Sequence, residues 1–225
     1  MTATRIPNPQ TASTVADVLR ELGDIPPERV RIVPPIGKAT LEDLIEANES
    51  GNGQVCEWVE NTLVEKDVGY FESWLGQIIS GQFDRYLEAN DSGILLGEAG
   101  VLRILPGIGR AGDVAFIAWT SLPGGKPPPR EDKVPEVVPD LVVEVLSAGN
   151  TPREMARKRQ DYFTAGVKHV WEIDPVSQSA RAYTGVEAVL DIPAGGTLAA
   201  EDVLPGFSLS LAAVFARANR TGGAG

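Results

Sequence analysis

The 225-residue sequence predicts an α/β (α+β) fold, a mixed sheet with helices on its faces. Three patterns carry that prediction. The first is a strand–helix–strand unit. Residues 141–146, LVVEVL, are a β-branched apolar run suited to a strand covered on both sides, a capped helical pattern follows at 151–165, and VKHVWEIDP reads as the next strand. The second is an amphipathic helix over 69–88, with Phe71, Trp74, Leu75, Ile78, Ile79, Phe83 and Leu87 on one face. The third is a hairpin in QVCEWVENTLVEK, where 55–59 and 62–65 flank a turn at Glu60-Asn61.

In chain order, residues 12–23 form a short helix with Val15, Val18, Leu19 and Leu22 on one face. The stretch 25–35 holds four prolines and is extended. Thr40 caps a helix, LEDLIEANES, that stops near Gly51. After the hairpin and the long helix come two strands, 93–97 and 100–105, then a Gly-rich turn over 106–112. That turn lacks the GKS/GKT ending and the following helix of a phosphate loop. DVAFIAW, 113–119, is another buried strand, and 124–135 is a Gly/Pro-rich surface loop. The next helix opens on Thr151, with Pro152 at its first position and Glu154 as a capping-box acid, and ends at Gly166. SARAYTG and AVLDIP are strands, Pro205-Gly206 is a turn, and a short helix precedes the flexible TGGAG. The division expected is a leader over 1–39, the main domain over 40–218 and a tail over 219–225; whether the leader packs on the domain is open.

Composition narrows the chemistry. A hydrophobic share of 43% suffices for one well-cored domain. The net charge of −11 and pI near 4.6 argue against tight nonspecific adhesion to nucleic acid, though not against a local basic strip. Cys56 is the lone cysteine and His169 the lone histidine, so any metal would be a hard cation held by oxygen. No signal-peptide core follows the start, and no apolar run approaches about 18 residues. A soluble, cytoplasmic protein without membrane contact is expected.

Four charged residues stand out. Asp113 opens one strand, Glu144 lies inside another, and Lys158 shares a helix face with Met155 and Tyr162. An ionised carboxylate inside such a strand costs several kcal/mol unless compensated. If the two strands are neighbours, Asp113 and Glu144 converge and suit a divalent cation, Mg2+ or Mn2+, which would activate a water against phosphorus. Lys158 would orient that water and offset charge on the transition state. The plainer alternative is an ion pair between Glu144 and one of Arg157, Lys158 or Arg159, in a basic run of a kind that is usually solvated. Glu57 sits inside a hairpin strand, where the plainer reading is an exposed face position. Asp140 reads as a turn residue, His169 as packing or surface, and Tyr162 as core.

CEWVENTLVEK, GDVAFIAW, VPDLVVEVLSAGNTPREMARKRQDYFTAGVKHVWEIDP and EDVLPGFSLSLAAVF together resemble the endonucleases of the Uma-two family. That family is a branch of the PD-(D/E)XK restriction-endonuclease-like superfamily, and the resemblance spans 40–215. It implies a restriction-endonuclease-like mixed central sheet flanked by helices and Mg2+-dependent phosphodiester hydrolysis of DNA. It implies that Asp113 and Glu144 are the two metal-binding acids and that Lys158 replaces the superfamily lysine, whose usual place is Leu146 here. Glu57 falls where the family carries an acid before its long helix. The chain departs from the family at Gly112, usually proline, at Glu60-Asn61, usually Asp-Gly, and at Tyr70-Phe71, where many members have histidine. Cutting both strands of a duplex calls for two sites, which leaves room for a homodimer. The rival reading is an inactive nuclease-fold binding or scaffold protein with a structural acid–lysine cluster.

Overall fold

The computed structural model describes residues 14–50 and 54–221. The expected starts of the leader and of its helix at residue 12, the stop near Gly51 and most of TGGAG lie outside them. Five helices are described: α1 (Val15–Glu21), α2 (Leu41–Glu49), α3 (Tyr70–Asn90), α4 (Pro152–Ala165) and α5 (Leu211–Ala218). The strands are β1 (Cys56–Val59), β2 (Thr62–Glu65), β3 (Gly93–Gly97), β4 (Leu102–Leu105), β5 (Ile108–Arg110), β6 (Val114–Ala118), β7 (Leu141–Val145), β8 (His169–Asp174), β9 (Ser179–Tyr183), β10 (Val189–Ile192), β11 (Thr197–Ala199) and β12 (Ser208–Ser210).

Six strands form the central sheet, in the order β10-β9-β8-β7-β6-β3. Only β7 and β8 run parallel, because α4 crosses between them; the other neighbours are antiparallel. This is the mixed sheet the sequence predicts. One face is the apolar core, where Leu75, Ile78, Ile79 and Phe83 of α3 and Val214 and Phe215 of α5 meet Val143, Val145, Trp171 and Ile173. The other face presents Val142 and Val170 to Tyr162 of α4 and to Ile104 and Ile108. Side chains alternate along each strand, so Glu144 points to the α4 side with Val142.

A second sheet, β2-β1-β5-β4, stands beside this one. Its hairpin turns at Glu60 and Asn61, with φ of 49° and 57°. Positive φ at both central residues is the backbone form whose twist matches the two strands. The stretch 106–112 is not all turn, as the sequence suggests: Pro106-Gly107 turns and β5 follows. Gly109 lets β5 lie against Trp58 and Leu44, and the strand pairs with both β1 and β4. The small β11–β12 ladder before α5 also escapes the sequence patterns, because three-residue strands show too little alternation to read.

The leader packs on the domain. Val18, Leu22 and Ile25 bury against Val59 and Val64 of the hairpin. Thr151 Oγ1 donates to Gly23 O at 2.6 Å, and Arg157 donates to Glu21 O at 2.8 Å. Glu154 does not close a capping box on Thr151. Its carboxylate takes both ends of the Arg29 guanidinium, at 3.0 and 2.7 Å, while Thr151 still caps the Glu154 amide. A bidentate buried ion pair outbids a solvent-facing cap. No helix of the described residues is long and apolar enough to cross a membrane.

Candidate active site

Asp113 stands one residue before β6. Its amide donates to Val143 O at 2.9 Å, and its Oδ2 accepts from Val145 N at 2.6 Å. Asp113 is therefore bonded to the residues on either side of Glu144. A β-carbon at Gly112 would meet Val142 Cγ1 at 2.6 Å, so the turn that delivers Asp113 passes too close to β7 for a side chain. Asp113 Oδ1 takes the Lys66 ammonium at 2.7 Å.

Glu144 accepts from Tyr162 Oη at 2.7 Å on Oε1 and from Lys158 Nζ at 3.1 Å on Oε2. Lys158 also reaches Glu57 Oε1 at 3.4 Å. Glu57 is held further by Arg110 at 2.7 Å and the Ala111 amide at 3.2 Å. Arg110 in turn donates to Asp161, which takes Arg157 on its other oxygen. One network thus joins both sheets to α4. It is sealed: Glu57 is 1% exposed, Lys158 2%, Glu144 3%, Asp113 7% and Lys66 8%.

The four residues singled out from sequence therefore meet in one cluster. Two plainer expectations are corrected. Glu57 is not an exposed face position, because β5 supplies Arg110 to its side of the hairpin. The run Arg157-Lys158-Arg159 is not a solvated strip, because each cation has a carboxylate partner: Asp161, Glu144 and Glu172. Tyr162 is core, as expected, but its hydroxyl is spent on Glu144. Asp140 lies at the other end of β7, where it accepts from Ala118 N, Ser121 Oγ and Lys168. His169 pairs with Asp202 at 2.7 Å.

Sequence reasoning missed Lys66, Arg110, Asp161 and Glu172. Lys66 only closes the hairpin motif, and Arg110 lies in a stretch that reads as turn. Glu172 had a signal: like Glu144 it is an acid inside a buried strand, in HVWEID. It lies opposite Glu144 in the β7–β8 register and opposite Arg181 in β8–β9. Consecutive cations of α4, Lys158 and Arg159, thus sit over neighbouring strand acids.

The carboxylates do not share one electrostatic state. Burial pushes the Glu57 carboxyl up, but Lys158, Arg110 and Lys66 outweigh it and bring it down to about 2. Glu144 is raised: burial and the charge of Asp113 exceed what Lys158 and Lys66 return. Burial works against the Lys158 ammonium, yet Glu144 and Glu57 together raise its pKa. Lys158 gains from two acids and divides its charge between them, which is why Glu144 is not lowered in step. Burial and Glu144 raise Tyr162, which stays a donor.

Two carboxylates with no histidine or thiol among them make a donor set for a hard cation. No group of three or more His, Cys, Asp and Glu placed to hold a metal occurs among the described residues. Asp113 and Glu144 supply two carboxylates on adjoining strands, and each of their four oxygens accepts from a protein donor. Beside the cluster, at the C-terminal ends of β7 and β8, a cleft of about 590 Å3 opens between the β7–α4 loop and the start of α3. It does not include Asp113, Glu144 or Lys158, but Leu146 and Met155 connect it to their strand and helix.

Comparison with known proteins places this geometry in context. The family model Uma2, described as "Putative restriction endonuclease", matches residues 41–212. No curated protein matches the chain. Among solved structures, a putative nuclease belonging to DUF820 from Anabaena variabilis superposes with a TM-score of 0.62 at 14% identity, covering 73% of this chain and 91% of that one. At that identity the likeness shows the fold.

Proposed function

The chain belongs to the Uma2 family, described as "Putative restriction endonuclease", and from that premise we propose that it is a divalent-metal-dependent endonuclease of the PD-(D/E)XK type, hydrolysing phosphodiester bonds of DNA. The observation that carries this reading is the junction of Asp113 and Glu144 on adjoining strands, with Lys158 of α4 on Glu144. Asp113 and Glu144 would hold Mg2+ or Mn2+. Bound there, the cation would supply Lewis-acid stabilisation of the phosphate and a water of lowered pKa. Lys158, kept charged by Glu144 and Glu57, orients a water by hydrogen bonding and offsets charge that develops on phosphate oxygens. Tyr162 fixes the rotamer of Glu144. Glu57 acts through Lys158, and Lys66 balances Asp113. Cutting both strands of a duplex would bring two such sites together in a homodimer.

One observation favours a second reading, a nuclease-fold binding protein without catalysis. Lys66, Lys158 and Arg110 already compensate Asp113, Glu144 and Glu57 in a sealed cluster. Nicking of supercoiled plasmid in Mg2+ or Mn2+ separates the two. The nuclease reading expects nicked and linear products from the wild type and none from Asp113→Ala or Lys158→Ala. An inert wild type that also binds no Mn2+ would establish the second reading.

A further inference from the structure

The cluster is shut, and the leader is part of what shuts it. Glu57 lies opposite Val64 in the hairpin register and Val59 stands two residues on, so the three side chains share one hairpin face. The ladder runs on to the Lys66 amide, which donates to Val55 O, and alternation turns Lys66 to that same face. Val18, Leu22 and Ile25 of the leader bury there, on Val59 and Val64. The chain then follows the hairpin edge: Val30 bridges to Val64, and Arg31 N donates to Leu63 O at 3.0 Å. The leader also grips α4. Glu154, which takes the Arg29 guanidinium, stands one turn before Lys158 on the same helix face. Arg29 donates as well to Glu65 O at 2.8 Å, one residue before Lys66, and to Gly149 O at 3.3 Å in the β7–α4 loop. One leader side chain therefore ties the strand end that leads to Lys66, the loop that follows the strand of Glu144 and the helix that carries Lys158.

The leader's hold is local. Its apolar grip is three side chains, while Val15, Ile32 and Val33 stay exposed. A segment held by so little apolar contact and a few hydrogen bonds opens at less cost than the whole fold. The cluster needs such an opening. Every carboxylate oxygen of Asp113 and Glu144 is given to a protein donor, and Lys66 and Lys158 are buried against them. Lifting the leader from the hairpin and from α4 gives the two ammonium groups water to turn into, which frees Asp113 Oδ1 and Glu144 Oε2. We infer that residues 14–36 form an autoinhibitory strap: seated, it closes the cluster, and lifted as a unit it admits a divalent cation to Asp113 and Glu144. The cation captures the open form, so its apparent affinity is set by how often the strap lifts. The inference rests on the nuclease reading for the cation and gives that site its regulation.

Opening and cation entry are read separately on the full chain. Arg29→Gln strands Glu154 and should speed hydrogen exchange of the leader amides at least about tenfold, while the amides of α3 and β7 keep their protection. Mn2+ affinity by calorimetry should rise by the same factor as the exchange, since both follow the open fraction. The converse experiment holds the strap down. Asp24 and Arg153 pair at 3.3 Å between leader and α4 with both side chains half-exposed, whereas Cys56 is buried. Asp24→Cys with Arg153→Cys, joined by a disulfide-containing bismaleimide, should bind no Mn2+, and reduction of the linker should restore the binding of the unlinked double variant. Equal Mn2+ binding with the strap linked and free overturns the inference. So does faster leader exchange in Arg29→Gln without tighter Mn2+ binding, and so does leader exchange that changes only in step with α3 and β7, which would make the leader no separate unit. Mn2+ binding that the linker abolishes, with no plasmid nicking, upholds the strap and sinks the nuclease reading. Asp113-dependent nicking that the linker leaves unchanged does the reverse, and a chain that takes Mn2+ in none of these forms sinks both.

Discussion

The charged network has two halves that use the same residue types to opposite effect. In the hairpin half, Glu57 and Asp161 are locked by Arg110 and Arg157, and Glu57 is pulled down to about 2. In the sheet half, Asp113 and Glu144 face each other with one lysine apiece, and Glu144 is raised. Glu57 draws on Lys158, Arg110 and Lys66 together, whereas Glu144 shares Lys158 with it and has the charge of Asp113 beside it. The first half resembles a structural tie between two sheets and a helix. The second sets two acids on adjoining strands with fewer cations around them. Burial of an acid therefore identifies neither role, whereas the balance of its partners separates them.

The largest contrast should come from substituting one residue in each half. Asp113→Asn should cut cleavage more than about a hundredfold, beyond the ten- to hundredfold typical of losing an outer partner of a metal ligand. It leaves the buried Lys66 ammonium without its acid, so cleavage is read where circular dichroism shows the variant folded. Arg110→Met should instead cost about 3–5 kcal/mol of stability, read by denaturant melts, because it strands Glu57 and Asp161 in the interior. If Arg110→Met were stable and Asp113→Asn unfolded, the assignment of the halves would be reversed.

Tyr162→Phe probes the boundary with a smaller change. It removes one hydrogen bond from Glu144 at a cost of about 1–2 kcal/mol, and Mn2+ affinity by calorimetry should fall about tenfold. Unchanged Mn2+ binding would detach Tyr162 from the site. The smallest effect is in pH. Glu57 is depressed, so its stabilisation is fully present above the ordinary carboxyl value of 4.5 and is lost as pH falls from there to about 2. Glu144 is raised, so its contribution has the opposite sign: it penalises the fold at neutral pH, and the penalty fades on acidification through its own titration. Denaturant melts across that acid range should lose stability mainly through Glu57, and Glu57→Gln should flatten the slope.

Elements carried by long patterns were readable. The α3 stripe, the β1–β2 hairpin and the β7–α4–β8 unit appear where periodicity and caps put them. Lys158 was readable too, because helical phase turns it inward whatever the residues beside it. Lys66 and Arg110 were not, since neither lies in a pattern that states its direction, and their partners are 47 and 53 residues away. Glu154 shows the converse: the local capping rule was sound, and Arg29, 125 residues distant in the chain, overrode it.

By itself the sequence determined the class of fold, the two strands that bear acids, the helix that bears the amine and the scarcity of soft metal ligands, one cysteine and one histidine. Those follow from local periodicity and from which residue types are present. Only the tertiary structure decided that Glu57 joins the cluster, that Lys66 and Arg110 balance it, and that the leader closes over α4. Such pairings are made across distant segments, and the energy of a buried charge depends on what the whole fold brings within reach of it.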